Sequence, residues 1–238
     1  MEKKQIISYF TNRYTLNKEQ QLYLAIHAKR YQTVLSWLAD KHFNRVLDIG
    51  PSYLSELLQN HLQKPITLMG FDAEESVGGH LPSLEILSNN HFIQQNLNDW
   101  ATDAQSPKYD LIICGEILEH LYSAPQKLFQ NLYKSLNTGG FLILQTPNAV
   151  ALRKRISLLI GINPFEMPRE NQKNPGHYRE YTPNELRKLA RANGFCIQKL
   201  ILDEYFEYPS WQSKVYRNVK SLIPANLRSG ITIILQKK

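Results

Sequence analysis

Residues 46–54 read Val-Leu-Asp-Ile-Gly-Pro-Ser-Tyr-Leu. A short, mostly apolar run that ends in Gly-Pro is typical of a buried parallel strand followed by a tight turn. Ser52 is a residue type that caps helices, and leucines recur at helical spacing after it. The stretch therefore predicts a strand, a turn and a helix in immediate succession.

The same order of elements continues along the chain. One helix is predicted over residues 125–136, and another runs from a capping box at Thr182 and Glu185 to Gly194. Such alternation of strands and helices predicts an α/β fold with a mostly parallel sheet covered by helices on both faces. The last two strands have no predicted helix between them, which indicates an antiparallel edge pair. After the first strand, the strand candidates are residues 66–71, 91–94, 109–114, 141–146, 195–202 and 231–235.

Segments outside this alternation define the predicted domain organisation. Asn17 and Gln20 form a capping-box pattern at the start of a helix that runs to about Asp40, and a short helical arm precedes it. Two long segments without strand patterns are predicted as insertions on the substrate side, the first as a lid. The predicted parts are an N-terminal helical arm or cap (1–43) and one α/β domain (44–238) with insertions at 147–181 and 203–229.

Composition excludes several classes of protein. Of the 238 residues, 42% are apolar and 21% are charged, as expected of a folded soluble domain. Two cysteines, Cys114 and Cys196, cannot form a disulfide framework and do not make a zinc site. No apolar stretch of about 18 residues occurs, and the first residues lack the apolar run of a signal peptide. The sequence therefore predicts a cytoplasmic protein without a transmembrane segment; it does not indicate an oligomeric state.

Basic residues outnumber acidic ones. Lys and Arg number 28 and Asp and Glu number 21, which gives a net charge of +7. Part of the excess lies at Arg153-Lys154-Arg155, and part lies near the end of the chain. This bias is compatible with an anionic substrate, a nucleic acid or a membrane surface, and it selects none of them.

The ends of the first two strands carry the residues most suited to a ligand. In an open parallel sheet, ligands bind outside the carboxyl ends of the strands. Gly50 permits a tight turn in which backbone approaches a ligand, and the N-terminus of a helix follows. Asp72 follows the second strand. Its spacing from Asp48 along the sequence is about that expected of an acid that accepts the two hydroxyls of a ribose. The residues after Gly50 do not form a G-x-G-x-x-G motif, which disfavours a nicotinamide cofactor.

Five segments in this order resemble the class I S-adenosylmethionine-dependent methyltransferases across about residues 44–236. They are residues 46–50, Asp72, residues 95–97, residues 109–120 and residues 136–148. The resemblance implies a Rossmann-like sheet of seven strands with the last strand antiparallel, and S-adenosylmethionine as cofactor. The cofactor-binding residues it implies are Asp48, Gly50, Pro51, Ser52, Asp72, Ala73, Asn96, Leu97, Gly115 and Glu116.

The sequence departs from this family at two positions of the first turn. Family members usually have glycine where Ser52 and Leu54 stand. Ser52 is small enough for backbone to approach the cofactor, and Leu54 suits the first turn of a helix. A non-catalytic scaffold with a degenerate cofactor site is therefore the alternative to an enzyme.

Two histidines are the predicted catalytic residues, His177 and His120. Methylation of a hydroxyl requires a base, and His177 lies in the lid segment just before the capped helix at Thr182, where an imidazole can act as general base. The alternative is that His177 only bonds the lid backbone or a substrate group.

Glu116, Glu119 and His120 form an E-x-x-E-H pattern after the fourth strand. Their spacing can place all three on one side of a helical turn, where with His177 they would offer four ligands to a divalent metal. The pattern resembles two metal-dependent groups, the small-RNA 3′-terminal 2′-O-methyltransferases and the O-methyltransferases of ubiquinone synthesis. We favour a metal-free site, because the apolar neighbours of these residues also suit a helix that packs on the sheet.

The predicted reaction is O-methylation of a small-molecule or saccharide hydroxyl. The lid segment is similar to bacterial methyltransferases of glycan and natural-product pathways, and aromatic residues from Tyr205 to Tyr216 could line the acceptor pocket. The rival acceptor is RNA, bound through phosphate contacts of the basic lid, in a metal-assisted 2′-O-methylation. The sequence does not favour a nucleic-acid partner over a small molecule.

Overall fold

The structure is a computed structural model that describes residues 1–71, 88–170, 175–206 and 223–238. Its described strands are β1 (Val46–Ile49), β2 (Thr67–Gly70), β3 (His91–Gln94), β4 (Tyr109–Gly115), β5 (Leu136–Pro147), β6 (Phe195–Asp203) and β7 (Gly230–Lys237). Its described α-helices are α1 (Lys3–Arg13), α2 (Lys18–Leu38), α3 (Tyr53–Leu62), α4 (Pro125–Ser135), α5 (Leu152–Leu159) and α6 (Pro183–Ala192). Short 3-10 turns cover Leu118–His120 and Ala225–Leu227.

The strands form a seven-stranded sheet in the order β3-β2-β1-β4-β5-β7-β6. Neighbours from β3 to β5 are parallel, and β7 is antiparallel to both β5 and β6. The predicted α/β class, the seven strands and the antiparallel pair at the edge are confirmed. The chain reverses its direction across the sheet between β1 and β4, which pair Ile49 with Cys114 at their carboxyl ends. That crevice is where open α/β sheets bind ligands.

Helices cover both faces of the sheet, as predicted. On one face Ile112 and Cys114 of β4 pack with residues of α4 and α6. On the other face Leu111 and Ile113 pack with residues of α1, α2 and α3. Successive β4 side chains thus enter different core clusters, because strand side chains alternate between the faces.

The N-terminal helices share their core with the sheet. Tyr31, Val34 and Leu38 of α2 lie in the same buried cluster as Val46 of β1 and Leu111 of β4. Residues 1–43 therefore contribute directly to the packing of the α/β domain. The division of the chain into an arm (1–43) and a domain (44–238) stays a prediction from the sequence.

Local hydrogen bonds explain where three helices begin. Asn17 accepts from the Gln20 backbone N–H at 2.9 Å, and Thr182 accepts from the Glu185 N–H at 3.2 Å. Ser52 accepts from the Leu54 N–H at 3.2 Å at the start of α3. All three predicted caps are confirmed. Each uses a side-chain oxygen to satisfy a backbone donor that has no partner within its helix.

The fifth strand is longer than predicted. It begins at Leu136, which pairs with Tyr109, and an irregularity in the pairing precedes Leu111. The sequence placed residues 136–140 in a helix end and a turn, because Asn-Thr-Gly-Gly is a strong turn signal. Pairing with β4 overrides that local preference, and only Gly139 retains a left-handed φ, at 79°.

The two insertions differ in how much of them the structure describes. The first, residues 147–181, contains α5, and a bridge between Asn148 and Tyr181 joins its ends. Most of the second lies outside the described residues, including the predicted pocket aromatics beyond Phe206. Tyr205 is described and is buried, with its hydroxyl 2.7 Å from the Thr232 hydroxyl. Over the described parts of the chain, every helix is too short or too polar to cross a membrane.

Candidate active site

A cavity of about 260 Å³ opens at the carboxyl ends of β1, β2 and β4, where the strand order reverses. Parts of the chain that are distant in sequence form its wall. They are Tyr23 and Arg30 of α2, residues 49–52 after β1, residues 69–71 at β2, residues 95–98 after β3, residues 115–117 and 120–122 after β4, and Pro175 and Tyr178 of the lid.

The turn after β1 brings Gly50, Pro51 and Ser52 to the cavity wall. Gly50 has a φ of 79°, and its N–H donates to the Met69 carbonyl at 2.9 Å. Because α3 begins directly after Ser52, its N-terminal backbone N–H groups lie at this edge, where they favour negative or polar ligand groups. Leu54, at a position where the resemblance implies glycine, is buried at 2% exposure in the first turn of α3.

Asp48 lies behind this wall and does not line the cavity. Its carboxylate is 2% exposed and accepts a hydrogen bond from the Ser55 hydroxyl at 2.6 Å. Ser55 in turn accepts from the Ser52 N–H at 2.8 Å. Burial raises the pKa of Asp48 to about 7, against the opposing effect of the Ser55 hydrogen bond. The structure thus places Asp48 as a support of the turn.

The ends of β2 and β3 form the next part of the wall. Asn96 and Leu97, predicted to bind the cofactor, both line the cavity, beside Gly70 and Phe71. The Asn96 side-chain oxygen accepts from the Asn98 N–H at 3.0 Å. Asp72 and Ala73, also predicted to bind the cofactor, lie outside the described residues.

Arg30 was missed as a site residue by the sequence reasoning. It comes from α2, is 2% exposed and lines the cavity. Its Nε donates to His27 Nδ1 at 2.9 Å, and its Nη1 donates to Gln145 Oε1 at 3.4 Å. The sequence did hold a signal: Arg30 is a charged residue within the apolar stripe of α2, between Ile26 and Val34.

Two carboxylates follow β4. Glu116 lines the cavity beside Gly115, and it has a left-handed φ of 57°, which is uncommon outside glycine. Glu119 is fully buried, and its Oε2 accepts from the Thr146 hydroxyl at 2.9 Å. Burial raises the pKa of both groups, and the neighbouring charge of Glu119 raises that of Glu116 further.

Each of these glutamates has one buried oxygen that meets no protein donor, and the two carboxyl groups interact with each other. The atoms are Glu116 Oε1 and Glu119 Oε1, and within the described ranges Ser123 Oγ is the other side-chain atom of this kind. A buried carboxylate oxygen without a hydrogen bond is costly, and Glu116 carries such an oxygen on the cavity wall, which indicates a ligand contact there.

The two predicted histidines lie together. Their ring centroids are 4.8 Å apart, and His120 lines the cavity whereas His177 lies beyond it on the lid side. His120 Nδ1 is 2.8 Å from the Gly176 carbonyl, which can only accept, so Nδ1 carries the proton and Nε2 is left as an acceptor. Burial and the nearby His120 lower the pKa of His177 to about 4, so His177 is neutral at pH 7.

Glu180 is a second residue that the sequence reasoning missed. Its Oε1 lies 3.0 Å from His177 Nδ1, and its Oε2 forms an ion pair with Lys154 of α5. A carboxylate at Nδ1 favours a proton on that nitrogen, and Nε2 faces Glu166 Oε2 at 3.7 Å. The spacing of His177 and Glu180, three residues apart just before a helix, is the sequence signal that went unused.

The predicted metal ligands come together in part. Glu119, His120 and His177 can each offer one ligand atom, and these atoms lie within 4.8 Å of one another. Glu116, the fourth candidate, is outside this group and borders the cavity. The predicted helical turn is a 3-10 turn over Leu118–His120.

Comparison with known proteins decides the family. Residues 20–200 match a family described as a methyltransferase domain. The chain belongs to this methyltransferase family. The methyltransferase is also 31% identical over 113 residues to the tRNA U34 carboxymethyltransferase of Sulfurovum sp. (strain NBC37-1), a match that spans 46% of this chain and 37% of that relative.

Solved structures share the fold of the methyltransferase. The N-methyltransferase NodS from Bradyrhizobium japonicum WM9, in complex with S-adenosyl-L-homocysteine, has a TM-score of 0.55 at 12% identity over 88% of this chain and 86% of that chain. An S-adenosylmethionine-dependent methyltransferase from Clostridium acetobutylicum ATCC 824 has a TM-score of 0.57 at 13% identity over 98% and 97%. Family and fold together confirm the sequence prediction of a class I S-adenosylmethionine-dependent methyltransferase.

Proposed function

We propose that the methyltransferase transfers a methyl group to a hydroxyl oxygen of a small molecule or saccharide. The observation that carries the proposal is the neighbouring imidazoles of His120 and His177, whose ring centroids are 4.8 Å apart and whose Nδ1 atoms each have a protein partner. A neutral base of this kind is what a hydroxyl needs when its oxygen attacks.

Residues on the cavity wall would hold the cofactor by charge and shape. S-adenosylmethionine supplies a methyl group on a sulfonium, beside an amino group and a carboxylate. The Arg30 guanidinium suits the carboxylate, and Glu116 Oε1, which meets no protein donor, suits a cationic group. Gly50, Ser52, Asn96 and Leu97 would border the rest, and Asp48 would act through the turn. Pro51 and Gly115 lie on the same wall, and Asp72 and Ala73 remain predicted cofactor residues.

The acceptor hydroxyl would lie among Glu119, His120 and His177, whose polar atoms are within 4.8 Å of one another. As the acceptor oxygen bonds to the methyl carbon, the carbon–sulfur bond breaks and its electrons stay with sulfur. The hydroxyl proton passes to an imidazole Nε2. We assign this role to His120 and His177 as a unit, with Glu180 as the residue that positions His177.

Transfer of a radiolabelled methyl group tests the proposal. A panel of saccharides and phenols, matched amines and an RNA transcript would each be incubated with the full chain and labelled S-adenosylmethionine. We expect label on hydroxyl acceptors, and turnover about 10² to 10⁴ lower in His120→Ala and in His177→Ala. The double variant should be little worse than either single variant, because the two act as a unit.

The control is His91→Ala, which removes an exposed histidine on β3. Its turnover should match the unmodified chain, and calorimetric titration with S-adenosylhomocysteine should give the same affinity in every variant. Label on amines alone, or normal turnover in both histidine variants, would overturn the proposal.

A bound metal is the alternative use of the same residues. Glu119 Oε1 and the two imidazole nitrogens form a donor set that a divalent ion could take. Under the metal-free mechanism, full activity should persist in excess chelator. Loss of activity that returns only when a divalent ion is added would favour the metal.

An RNA acceptor is the second candidate function, and the tRNA-modifying relative is the observation that favours it. RNA binding through the basic lid would depend steeply on salt, because neutralised phosphates release counterions. Salt-sensitive binding of a short oligonucleotide together with label on the RNA would support this candidate.

A further inference from the structure

The first insertion holds most of the exposed large apolar side chains among the described residues. Twelve large apolar side chains are exposed over the described parts of the chain, and seven of them lie between residues 156 and 167. None of the α5 residues is buried. The seven are Ile156 (50% exposed), Leu158 (52%), Leu159 (86%), Ile160 (65%), Ile162 (56%), Phe165 (38%) and Met167 (75%).

Clustering of this kind is unusual for a surface that faces only water. Single exposed apolar residues are common, but a contiguous set marks a surface that contacts something else. We call residues 152–167 the docking segment. Its apolar run is far shorter than the roughly 20 residues a spanning helix needs, so it suits contact along a surface.

Charge at this segment is positive. Arg153 and Arg155 are exposed, and their hydrogen bonds go to backbone carbonyls, of Phe206 and Val150. A carbonyl does not neutralise a guanidinium, so both charges persist. Lys154 differs, since it pairs with Glu180 inside the site. An apolar surface bordered by arginines matches the interface of an anionic bilayer, where acyl chains lie beside negative headgroups.

A second copy of the chain fits this surface less well. In a symmetric dimer through the docking segment, the same surface of two copies would meet, so each copy would bring its Arg153 and Arg155 to one interface. Like charges brought together at a desolvated interface oppose association. The charge pattern therefore favours a negative surface over a second copy.

The docking segment is also tied to the acceptor side of the site. Lys154 pairs with Glu180, and Glu166 Oε2 lies 3.7 Å from His177 Nε2. Contact on this segment would therefore bring the bilayer beside residues that pair with His177 and Glu180.

From these observations we infer that the docking segment binds the surface of an anionic lipid bilayer. This inference goes beyond the proposed function and does not depend on it, because the test below measures binding and not methyl transfer.

The experiment is sedimentation of the full chain with vesicles of phosphatidylcholine, with or without phosphatidylglycerol. We expect binding to the anionic vesicles and little to the neutral ones. Leu159→Glu should lower the bound fraction by about tenfold or more, since it puts a charge where the apolar contact is made. Arg155→Glu should lower it about fivefold or more, because each basic residue adds about that factor near an anionic surface.

Matched controls separate this surface from general stickiness and charge. Leu22→Glu changes an exposed leucine of α2, at 41% exposure, and Arg191→Glu reverses an exposed charge on α6. Both should bind like the unmodified chain. Ile160→Ser, at a position 65% exposed, is a milder second variant that should also bind less.

Leu159→Trp provides an independent readout. Its fluorescence should shift to the blue on addition of anionic vesicles. No binding to anionic vesicles, or equal losses in the controls, would overturn the inference. A concentration-dependent dimer that Leu159→Glu dissociates, without vesicle binding, would overturn it in favour of a second copy.

Discussion

The carboxyl ends of β1 and β4 lie side by side in the sheet, yet their polar side chains are used in opposite ways. At the end of β1, Asp48 accepts from Ser55, and Ser55 accepts from the Ser52 N–H. After β4, Glu116 and Glu119 each have a buried oxygen that meets no protein donor. The first carboxylate is bonded within its own turn, whereas the second pair includes Glu116, whose Oε1 meets no protein donor and which lies on the cavity wall.

This difference distinguishes a carboxylate that stabilises the backbone from one that is available for chemistry. Buried polar groups in folded proteins are nearly always hydrogen-bonded, because an unmade bond costs the desolvation of the group. A carboxylate that is satisfied by its own turn therefore stabilises a backbone shape. One that is left unsatisfied beside a cavity retains its capacity for substrate, cofactor or proton. Four predictions can break or sharpen this contrast.

The largest expected effect is on the pH dependence of stability, through Asp48. Burial raises the pKa of Asp48 from 3.8 to about 7, so its contribution to folding is fully present below about pH 4 and is lost as pH rises to 7. Asp48→Asn keeps an acceptor for Ser55 and has no charge to bury. In urea unfolding, the unmodified chain should lose about 3 kcal/mol of unfolding free energy between pH 5 and pH 8. The variant should not show this loss.

Asp110→Asn is the control of opposite sign. Asp110 accepts from the backbone N–H groups of Asn44 and Arg45 and from Asn137, and these hydrogen bonds lower its pKa against the effect of its partial burial. Its contribution is present above about pH 4 and is lost as pH falls, so the variant should be less stable at pH 7. If Asp48→Asn and Asp110→Asn changed the dependence of stability on pH in the same direction, the opposite pKa shifts of Asp48 and Asp110 would be contradicted.

The second prediction compares two glycines of equal φ. Gly50 and Gly139 both have a φ of 79°, but a Cβ on Gly50 would overlap the Ile117 side chain, whereas one on Gly139 would meet nothing within 4 Å. Both alanine variants bear the left-handed strain of about 1 kcal/mol. Gly50→Ala should lose about 1 kcal/mol more in urea unfolding, because the Ile117 side chain must shift to make room for the Cβ. Equal losses of unfolding free energy in the two variants would show that the turn after β1 can accommodate a Cβ.

The third prediction concerns cofactor affinity. Glu116→Gln removes the carboxylate proposed to face a cationic group, so affinity for S-adenosylmethionine should fall by about tenfold or more in calorimetric titration. Asp48→Asn should leave it within about twofold, since that carboxylate bonds to Ser55. For the unmodified chain, affinity should rise as pH passes upward through the raised pKa of Glu116, because the ionised form binds a cation better. A larger loss of affinity in Asp48→Asn than in Glu116→Gln would show that Asp48, and not Glu116, is the carboxylate that faces the cofactor.

The smallest expected effect separates two helix caps. Ser52→Ala and Thr182→Ala each remove an N-cap oxygen, so each should lose about 1 kcal/mol of unfolding free energy. Only Ser52 lines the cavity, so Ser52→Ala alone should also weaken S-adenosylhomocysteine binding. A matching loss of affinity in Thr182→Ala would mean that the affinity change reports general destabilisation.

The sequence by itself determined the elements and their order. The caps at Asn17, Ser52 and Thr182 were predictable because each is a hydrogen bond between residues two or three positions apart. The strands were predictable as short apolar runs, and the order of motifs identified the family. The length of β5 was not, because residues 136–140 prefer a turn locally and pair with β4 only when the sheet has formed.

Only the tertiary structure decided which residues form the site. Arg30 reaches Gln145 across 115 residues of sequence, and no local pattern encodes such a contact. Likewise, His120 meets His177 because the lid returns to the end of β4, where the Tyr178 N–H donates to the Glu119 carbonyl at 2.8 Å. Local hydrogen bonds and apolar periodicity are properties of a few consecutive residues. The site is a property of how a whole sheet brings distant strand ends together, and there the packing of the core decides.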